Sequence, residues 1–185
     1  MKNPHNHYTK SDFVKKAEEF AVDAHYSTNH YYDDYLPYSF HLNMVVKASV
    51  DFIHLMSEDM RKIVIAACWL HDTIEDARKT YNDVMNATGS TEVAEIVRAV
   101  TNYGRGRNRD ERMPDFVYDD IKTTPGATFV KLCDRIANLQ YSKLTGSSMF
   151  KKYKKEHPHF KEKLFVEGDL QEMWDYIDEI FNSEK

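Results

Sequence analysis

The chain has 185 residues, a formal net charge of −5 and 42% hydrophobic residues, which is typical of one folded soluble domain. Its 13% aromatic residues, 6 Gly and 5 Pro exclude disordered and collagen-like classes. The negative charge argues against a nucleic acid polymer as partner, and the longest apolar run, residues 63–70, is too short for a membrane helix. Two cysteines and an N-terminus without a signal-like apolar stretch predict a cytoplasmic protein without a disulfide framework.

Three segments in the first half of the chain have helical periodicity. Two helices are predicted after Ser11, an N-cap residue type, and after Pro37. The third segment runs from about Asp59 to Leu70, where flanking charges and the lack of a turn signal favour a buried helix over a strand. The apolar stripes of the first two helices are Phe13, Ala17, Phe20, Ala21 and Ala24, then His41, Val45, Ala48 and Phe52.

The second half continues the helical pattern. Thr80 and Asp83 form an approximate capping box for a helix that ends near Ala87, and Ser90 caps the next one. Residues 102–126 are predicted irregular, apart from a helix over 115–122, and Pro125 suits the first turn of a long helix. The stripes are Val93, Ile96, Val97 and Val100, then Phe129, Leu132, Cys133, Ile136 and Leu139.

The last third predicts two more helices, one from Met149 to near Gly168 and one from Asp169 to about Phe181. The second has an apolar stripe that includes Leu170, Trp174 and Ile177. No alternating strand pattern and no internal repeat occur, so the predicted fold class is all-α.

Four residues offer a mixed imidazole and carboxylate ligand set. His71 and Asp72 are adjacent at the end of the buried helix, while His41 and Asp134 lie on two other predicted helices. This donor mixture suits Mn, Fe, Zn or Mg rather than a structural thiolate zinc site. The alternatives are a surface or capping His-Asp pair, and a buried salt bridge from Asp134 to Lys131 or Arg135.

Two further carboxylates, Glu75 and Asp76, follow His71 and Asp72 at the i+4 positions. In a helical continuation they lie on the same face as the candidate ligands. A carboxylate there can accept a proton from an attacking water or donate one to a leaving group. The alternative is that both belong to a solvated helix start.

The combined pattern resembles the HD superfamily of metal-dependent phosphohydrolases, which has a His, an adjacent His-Asp pair and a distant Asp. The resemblance is closer to the RelA/SpoT-type and small stand-alone alarmone hydrolases. Residues 37–41, PYSFH, resemble the family's PYxxH. Residues 66–76, AACWLHDTIED, resemble AALLHDxxED, and residues 125–139, PGATFVKLCDRIANL, resemble PGAxxVKLADxxxNL.

The resemblance implies a single-domain HD-type helical bundle over residues 1–185, with the family-like core at about 12–145 and C-terminal helices at 149–183. It implies manganese held by His41, His71, Asp72 and Asp134, and removal of the 3′-pyrophosphate of (p)ppGpp. Glu75 and Asp76 would manage the attacking water or the leaving group. Asn138 matches the family's nucleotide-contacting Asn, with a helix-surface amide as the alternative.

The loop of residues 104–112 contains four arginines, and its place matches the family's basic loop. Arg109 and Arg112 are the predicted phosphate contacts, because a guanidinium suits bidentate phosphate binding. A solvated loop whose arginines pair with nearby acids is the alternative. The partner implied is a small-molecule nucleotide.

One segment departs from the family. An Arg-Lys pair usually precedes PYxxH, whereas this chain has no Arg or Lys between Lys16 and Lys47. Tyr31, Tyr32 or His30 can stack on a base but do not replace a fixed cation. Two other functions therefore stay open: a nucleotidase or phosphodiesterase of the wider HD superfamily, and a catalytically silent binding module on an HD scaffold.

Overall fold

The structure, a computed structural model, describes residues 4–102 and 113–183 and is almost entirely helical over them. The predicted phosphate contacts Arg109 and Arg112 lie outside the described residues. The helices are α1 (Asp12–Ser27), α2 (Ser39–Phe52), α3 (Glu58–Leu70), α4 (Thr73–Asp76), α5 (Tyr81–Thr88), α6 (Thr91–Val100), α7 (Asp115–Thr123), α8 (Ala127–Thr145), α9 (Ser148–Leu164) and α10 (Gln171–Asn182). Short 3-10 helices span Pro4–Lys10 and Ile53–Leu55.

The predicted N-caps are confirmed. Ser11 and Ser90 accept hydrogen bonds from the backbone N–H groups of Val14, at 3.3 Å, and of Val93, at 3.2 Å. Thr80 and Asp83 make the complete reciprocal capping box at the start of α5. Each cap satisfies a backbone donor that the first helical turn leaves without a partner, and so sets where the helix begins.

Helix α3 is the centre of the fold. Every residue from Val64 to Leu70 is buried, and the helix contacts α1, α2, α6 and α8. The sequence alternative of a buried strand here is therefore wrong. A helix that is apolar on all faces at this end needs neighbours on every side, and the surrounding helices supply them.

Helix α8 lies beside α2, α3 and α6, and its predicted stripe from Phe129 to Leu139 is buried. It begins at Ala127 instead of Pro125, because Gly126 adopts a left-handed conformation with φ +85°. The C-terminal helices α9 and α10 both pack on α8. Helix α9 already ends at Leu164, and α10 begins at Gln171 after a left-handed Leu170.

The structure also has a small hairpin that the sequence did not predict. Residues 31–32 pair antiparallel with residues 36–37, Tyr31 opposite Pro37 and Tyr32 opposite Leu36. Asp33 and Asp34 make the reversal with φ of +52° and +67°. The hairpin connects α1 to α2 and holds Tyr32 next to His41. Within the described residues, no helix combines the length and the apolar character that crossing a membrane requires.

Candidate active site

The backbone leaves regular helix geometry at the His-Asp pair. Helix α3 ends at Leu70, and Asp72 has φ −101° and ψ 0° before the short helix α4 begins. The Thr73 hydroxyl donates to the Leu70 carbonyl at 2.7 Å, which satisfies an acceptor at the helix end. As a result two adjacent side chains point to one place, and His71 Nε2 lies 2.9 Å from Asp72 Oδ2.

The other two predicted ligands reach the same place from α2 and α8. His41 Nε2 lies 3.3 Å from His71 Nε2, 3.4 Å from Asp134 Oδ1 and 3.6 Å from Asp72 Oδ2. His71 Nε2 is 3.8 Å from Asp134 Oδ1. One donor atom each from His41, His71 and Asp134 falls within 4.8 Å of the others, an arrangement that can hold a metal ion.

The electrostatics of this cluster call for a positive charge. Burial disfavours the charged form of His71, yet Asp72 and Asp134 raise its pKa from 6.5 to about 10. Burial likewise opposes ionisation of both carboxyls, but His71 holds the pKa of Asp72 well below its usual range, and His41 and Lys131 lower that of Asp134 to about 2. Without a metal, the two carboxylates are compensated by a proton on His71. A divalent cation bound to the same donors would replace this positive charge.

The donor set therefore fits a divalent metal. Both imidazoles are buried, while the carboxylates of Asp72 and Asp134 keep 17% and 19% of their side-chain surface exposed, which leaves a way in from solvent. Two imidazoles and two carboxylates suit a borderline or hard cation better than a thiolate-seeking one. The two cysteines are buried and free, and neither belongs to the cluster.

Residues next to the cluster support its ligands. His71 Nδ1 is 2.9 Å from the Cys68 carbonyl oxygen, and the Tyr38 hydroxyl donates to Asp72 Oδ2. Burial and the Asp72 charge raise the pKa of Tyr38, which keeps it protonated as a donor. Tyr38 was not predicted as part of the site, although it is the second residue of the PYSFH motif.

Arg135 does not form the salt bridge with Asp134 that the sequence left open as an alternative. The Arg135 guanidinium lies over the rings of Phe160 and Tyr153, at 4.3 and 4.8 Å from their centroids. Lys131 forms a long ion pair with Asp134, with Nζ 4.0 Å from Oδ2. Its Nζ also donates to the Val100 carbonyl at 3.2 Å. Lys131 thus adds positive charge near Asp134 without occupying the cluster.

Glu75 and Asp76 have different surroundings. The Asp76 N–H donates to the Asp72 carbonyl at 2.8 Å, so Asp72 and Asp76 are one helical turn apart, as predicted. Surrounding protein, together with the charges of Asp72 and Glu75, raises the pKa of Asp76 to about 7, although part of the residue is exposed. Glu75 instead accepts hydrogen bonds from Asn102, from its backbone N at 3.1 Å and from its amide Nδ2 at 3.0–3.1 Å.

Asn138 lies beside the cluster and not on an open helix surface. Its Nδ2 donates to Asp134 Oδ1 at 2.5 Å, and its Oδ1 accepts from the Tyr32 hydroxyl at 3.0 Å. The Tyr32 ring stacks on His41 with centroids 4.8 Å apart. Of the three residues that sequence reasoning offered for stacking on a base, Tyr32 thus faces the candidate metal site itself.

His30 is the second of those three residues, and it packs elsewhere. Its ring and that of His25 stack on Tyr38, with centroids 4.1 and 4.2 Å away, and the two Nδ1 atoms are 3.0 Å apart. These side chains line a cavity of about 180 Å³ that also borders Tyr31. The segment without Arg or Lys therefore puts imidazoles and phenols next to the cluster.

The chain is similar to known proteins in sequence and in fold. No protein-family model matches the chain. A guanosine-3′,5′-bis(diphosphate) 3′-pyrophosphohydrolase of Aquifex aeolicus (strain VF5) is 29% identical over 139 residues, which make up 73% of this chain and 18% of that protein. A solved structure of a metazoan ortholog of SpoT, described as hydrolysing ppGpp with a role in starvation responses, has 20% identity and a TM-score of 0.71. The match covers 92% of this chain and 94% of that one.

The chain shares the fold of the metazoan SpoT ortholog. The predicted all-helical bundle is therefore confirmed, and so is the predicted resemblance to the RelA/SpoT-type hydrolases. The division into one domain, and the roles of the individual site residues, stay predictions.

Proposed function

We propose that this chain is a metal-dependent phosphohydrolase that removes the 3′-pyrophosphate of (p)ppGpp or of a related nucleotide. The observation that carries the proposal is the convergence of His41, His71, Asp72 and Asp134, from three separate parts of the chain, within one HD hydrolase fold. The activities for which the Aquifex relative and the metazoan SpoT ortholog are named support the same chemistry.

The four side chains would hold a divalent cation, with manganese as the proposed ion. When bound, such a cation lowers the pKa of a water ligand and polarises a phosphoryl oxygen. Tyr38 keeps Asp72 oriented, and the Cys68 carbonyl keeps His71 oriented. These supports hold the donor atoms in place before any substrate arrives.

Asp76 is the proposed proton acceptor. A pKa of about 7 lets this carboxyl take up and release a proton near neutral pH, as a general base must. Glu75 holds Asn102, which directly precedes the segment that contains Arg109 and Arg112. We assign Glu75 to orienting the nucleotide end of the site, the two arginines to the phosphates, and Asn138 to the nucleoside.

A second candidate is hydrolysis of a different nucleotide by the same centre. The specific observation is the absence of Arg and Lys between Lys16 and Lys47, where Asp33 and Asp34 add negative charge. A highly charged substrate such as ppGpp gains less from such a segment than one with fewer phosphate charges.

The decisive test is pyrophosphate release from ppGpp with added Mn²⁺, comparing the wild type with Asp72→Asn and Asp134→Asn. We expect both variants to lose more than about 100-fold in kcat/KM, since losing only a partner of a ligand already costs about 10- to 100-fold. Asp51→Asn is the matched control, because Asp51 is an exposed carboxylate on α2 that pairs with Lys47. Its activity should equal that of the wild type.

Absence of release by wild-type protein with measured bound Mn²⁺ would exclude ppGpp as the substrate. A panel of NADPH and deoxynucleotides under the same conditions then tests the second candidate. Wild-type protein that binds no divalent metal at all would exclude the metal centre and leave the binding-module alternative.

A further inference from the structure

The two histidines of the cluster are held in different ways. A metal-binding imidazole usually donates its second ring nitrogen to a fixed acceptor, which sets the orientation of the ring. His71 follows this rule through the Cys68 carbonyl. His41 does not: its Nδ1 is buried and has no hydrogen-bond partner among the described residues. Something else must set the plane of the His41 ring.

Tyr32 is the side chain in position to do so. Its ring lies nearly parallel to the His41 imidazole, with an angle of 15° between the planes and 4.8 Å between the centroids. The ring of Tyr141 meets Tyr32 edge to face at 4.9 Å and supports it from another side. Rotation of the His41 ring would therefore break the stack with Tyr32.

The hydroxyl end of Tyr32 reaches a second candidate ligand. It donates to Asn138 Oδ1 at 3.0 Å, and Asn138 Nδ2 donates to Asp134 Oδ1 at 2.5 Å. One side chain on the hairpin thus contacts a ligand of α2 by its ring and is connected to a ligand of α8 through one amide. Both contacts depend on the hairpin register that pairs Tyr32 with Leu36.

We propose that Tyr32 is a positioning residue of the metal centre, whose ring fixes the His41 imidazole and whose hydroxyl, through Asn138, fixes the Asp134 carboxylate. This inference rests on the metal centre of the proposed function. The hairpin lies in the segment of this chain that has no Arg-Lys pair. In the proposal, this segment supports the metal ligands.

The same contacts permit an opposing interpretation, in which Tyr32 covers the centre and must leave before a nucleotide binds. The two interpretations predict different changes. A positioning residue affects metal affinity in the absence of substrate, whereas a cover affects the KM for the nucleotide and leaves metal affinity unchanged.

The test is calorimetric titration of Mn²⁺ into the metal-free full chain, for wild type, Tyr32→Phe and Tyr32→Leu. We expect Tyr32→Leu, which loses the stack and the hydroxyl, to bind Mn²⁺ about 10- to 100-fold more weakly. Tyr32→Phe keeps the stack and should therefore lose less, at most about 10-fold. Tyr31→Phe is the matched control, since Tyr31 is the adjacent strand residue, is 51% exposed and should leave the affinity unchanged.

Several outcomes would overturn the inference while leaving the proposed function intact. One is wild-type Mn²⁺ affinity in both Tyr32 variants, and another is an equal loss in Tyr31→Phe. A lowered nucleotide KM in Tyr32→Leu at unchanged Mn²⁺ affinity would show a cover instead. If Tyr32→Leu fails to fold by circular dichroism, Tyr32→Phe alone decides. A wild type that binds no Mn²⁺ refutes the proposed function itself.

Discussion

His25 is a buried ionisable residue outside the predicted metal ligands, and its surroundings predict that acid destabilises the protein. The side chain is 1% exposed and stacks on Tyr38. Burial lowers its pKa to about 4, although the Asp72 charge acts in the opposite direction. In an unfolded chain the same group has a pKa of about 6.5. The unfolded state therefore binds more protons between these values, and stability falls as the pH drops from 6.5 to 4.

We predict that replacing His25 by Phe, which keeps an aromatic ring but cannot bind a proton, flattens this dependence. Between pH 7.5 and pH 5 the wild type should lose about 2 kcal/mol of unfolding free energy more than His25→Phe loses. Urea unfolding at the two pH values measures the difference.

The matched control for this prediction is His54→Gln, at an exposed histidine that pairs with Glu172 on the surface. It should show the pH dependence of the wild type. Equal losses in the wild type and in His25→Phe would contradict the assignment of this acid sensitivity to His25.

At the scale of helices and loops, the elements that the sequence predicted are those specified by local signals. The caps at Ser11, Thr80 and Ser90 and the long stripe of α8 depend on neighbours in sequence, and the structure confirms them. The hairpin of residues 31–37 has strands too short for a periodic pattern, and its reversal uses Asp33 and Asp34 instead of a glycine. Its position depends on packing against distant residues, so the sequence gives no signal for it.

Gly126 sets where α8 begins, and α8 in turn positions Asp134. Its φ of +85° disfavours any residue with a side chain. An added Cβ would also lie 3.0 Å from the Met60 and Val64 side chains and 3.2 Å from Ile96. Both the backbone conformation and the close approach of α3 and α6 therefore favour glycine where α8 starts.

We predict that Gly126→Ala lowers the unfolding free energy by about 2–4 kcal/mol, from the left-handed backbone and from overpacking together. Gly89→Ala is the control, because Gly89 has φ +67° but nothing within 4 Å of an added Cβ. It should lose only the backbone part, about 1–2 kcal/mol. Chemical denaturation of both variants measures the difference, and equal losses would show that the close approach contributes nothing.

At the scale of the whole molecule, the candidate site joins parts of the chain that are far apart in sequence. His41, the His-Asp pair and Asp134 were predicted as ligands from their donor chemistry and from a motif that resembles a known family, and the structure brings them together. Tyr38 and Tyr32 were not predicted as supports. Their roles depend on which atoms the fold places within hydrogen-bond or stacking distance, and spacing along the chain does not encode that distance.

Because the four candidate ligands come from α2, from the α3–α4 junction and from α8, a metal that binds them stabilises the folded chain and not the unfolded one. Binding at a concentration 100 times the dissociation constant adds about 2.7 kcal/mol of stability. For a chain of this length we therefore predict that Mn²⁺ raises Tm by about 5–10 °C over the value in EDTA.

Differential scanning calorimetry measures the shift, and two carboxylate variants locate its origin. Asp134→Asn removes one charge from the cluster at nearly constant volume, so the rise in Tm should be lost. Asp51→Asn removes an exposed carboxylate of α2 and should keep the full rise. A rise that survives in Asp134→Asn would mean that Mn²⁺ binds elsewhere on this negatively charged chain. The substitution keeps an oxygen that can accept from Asn138 but removes one of the two carboxylate charges that compensate the divalent cation.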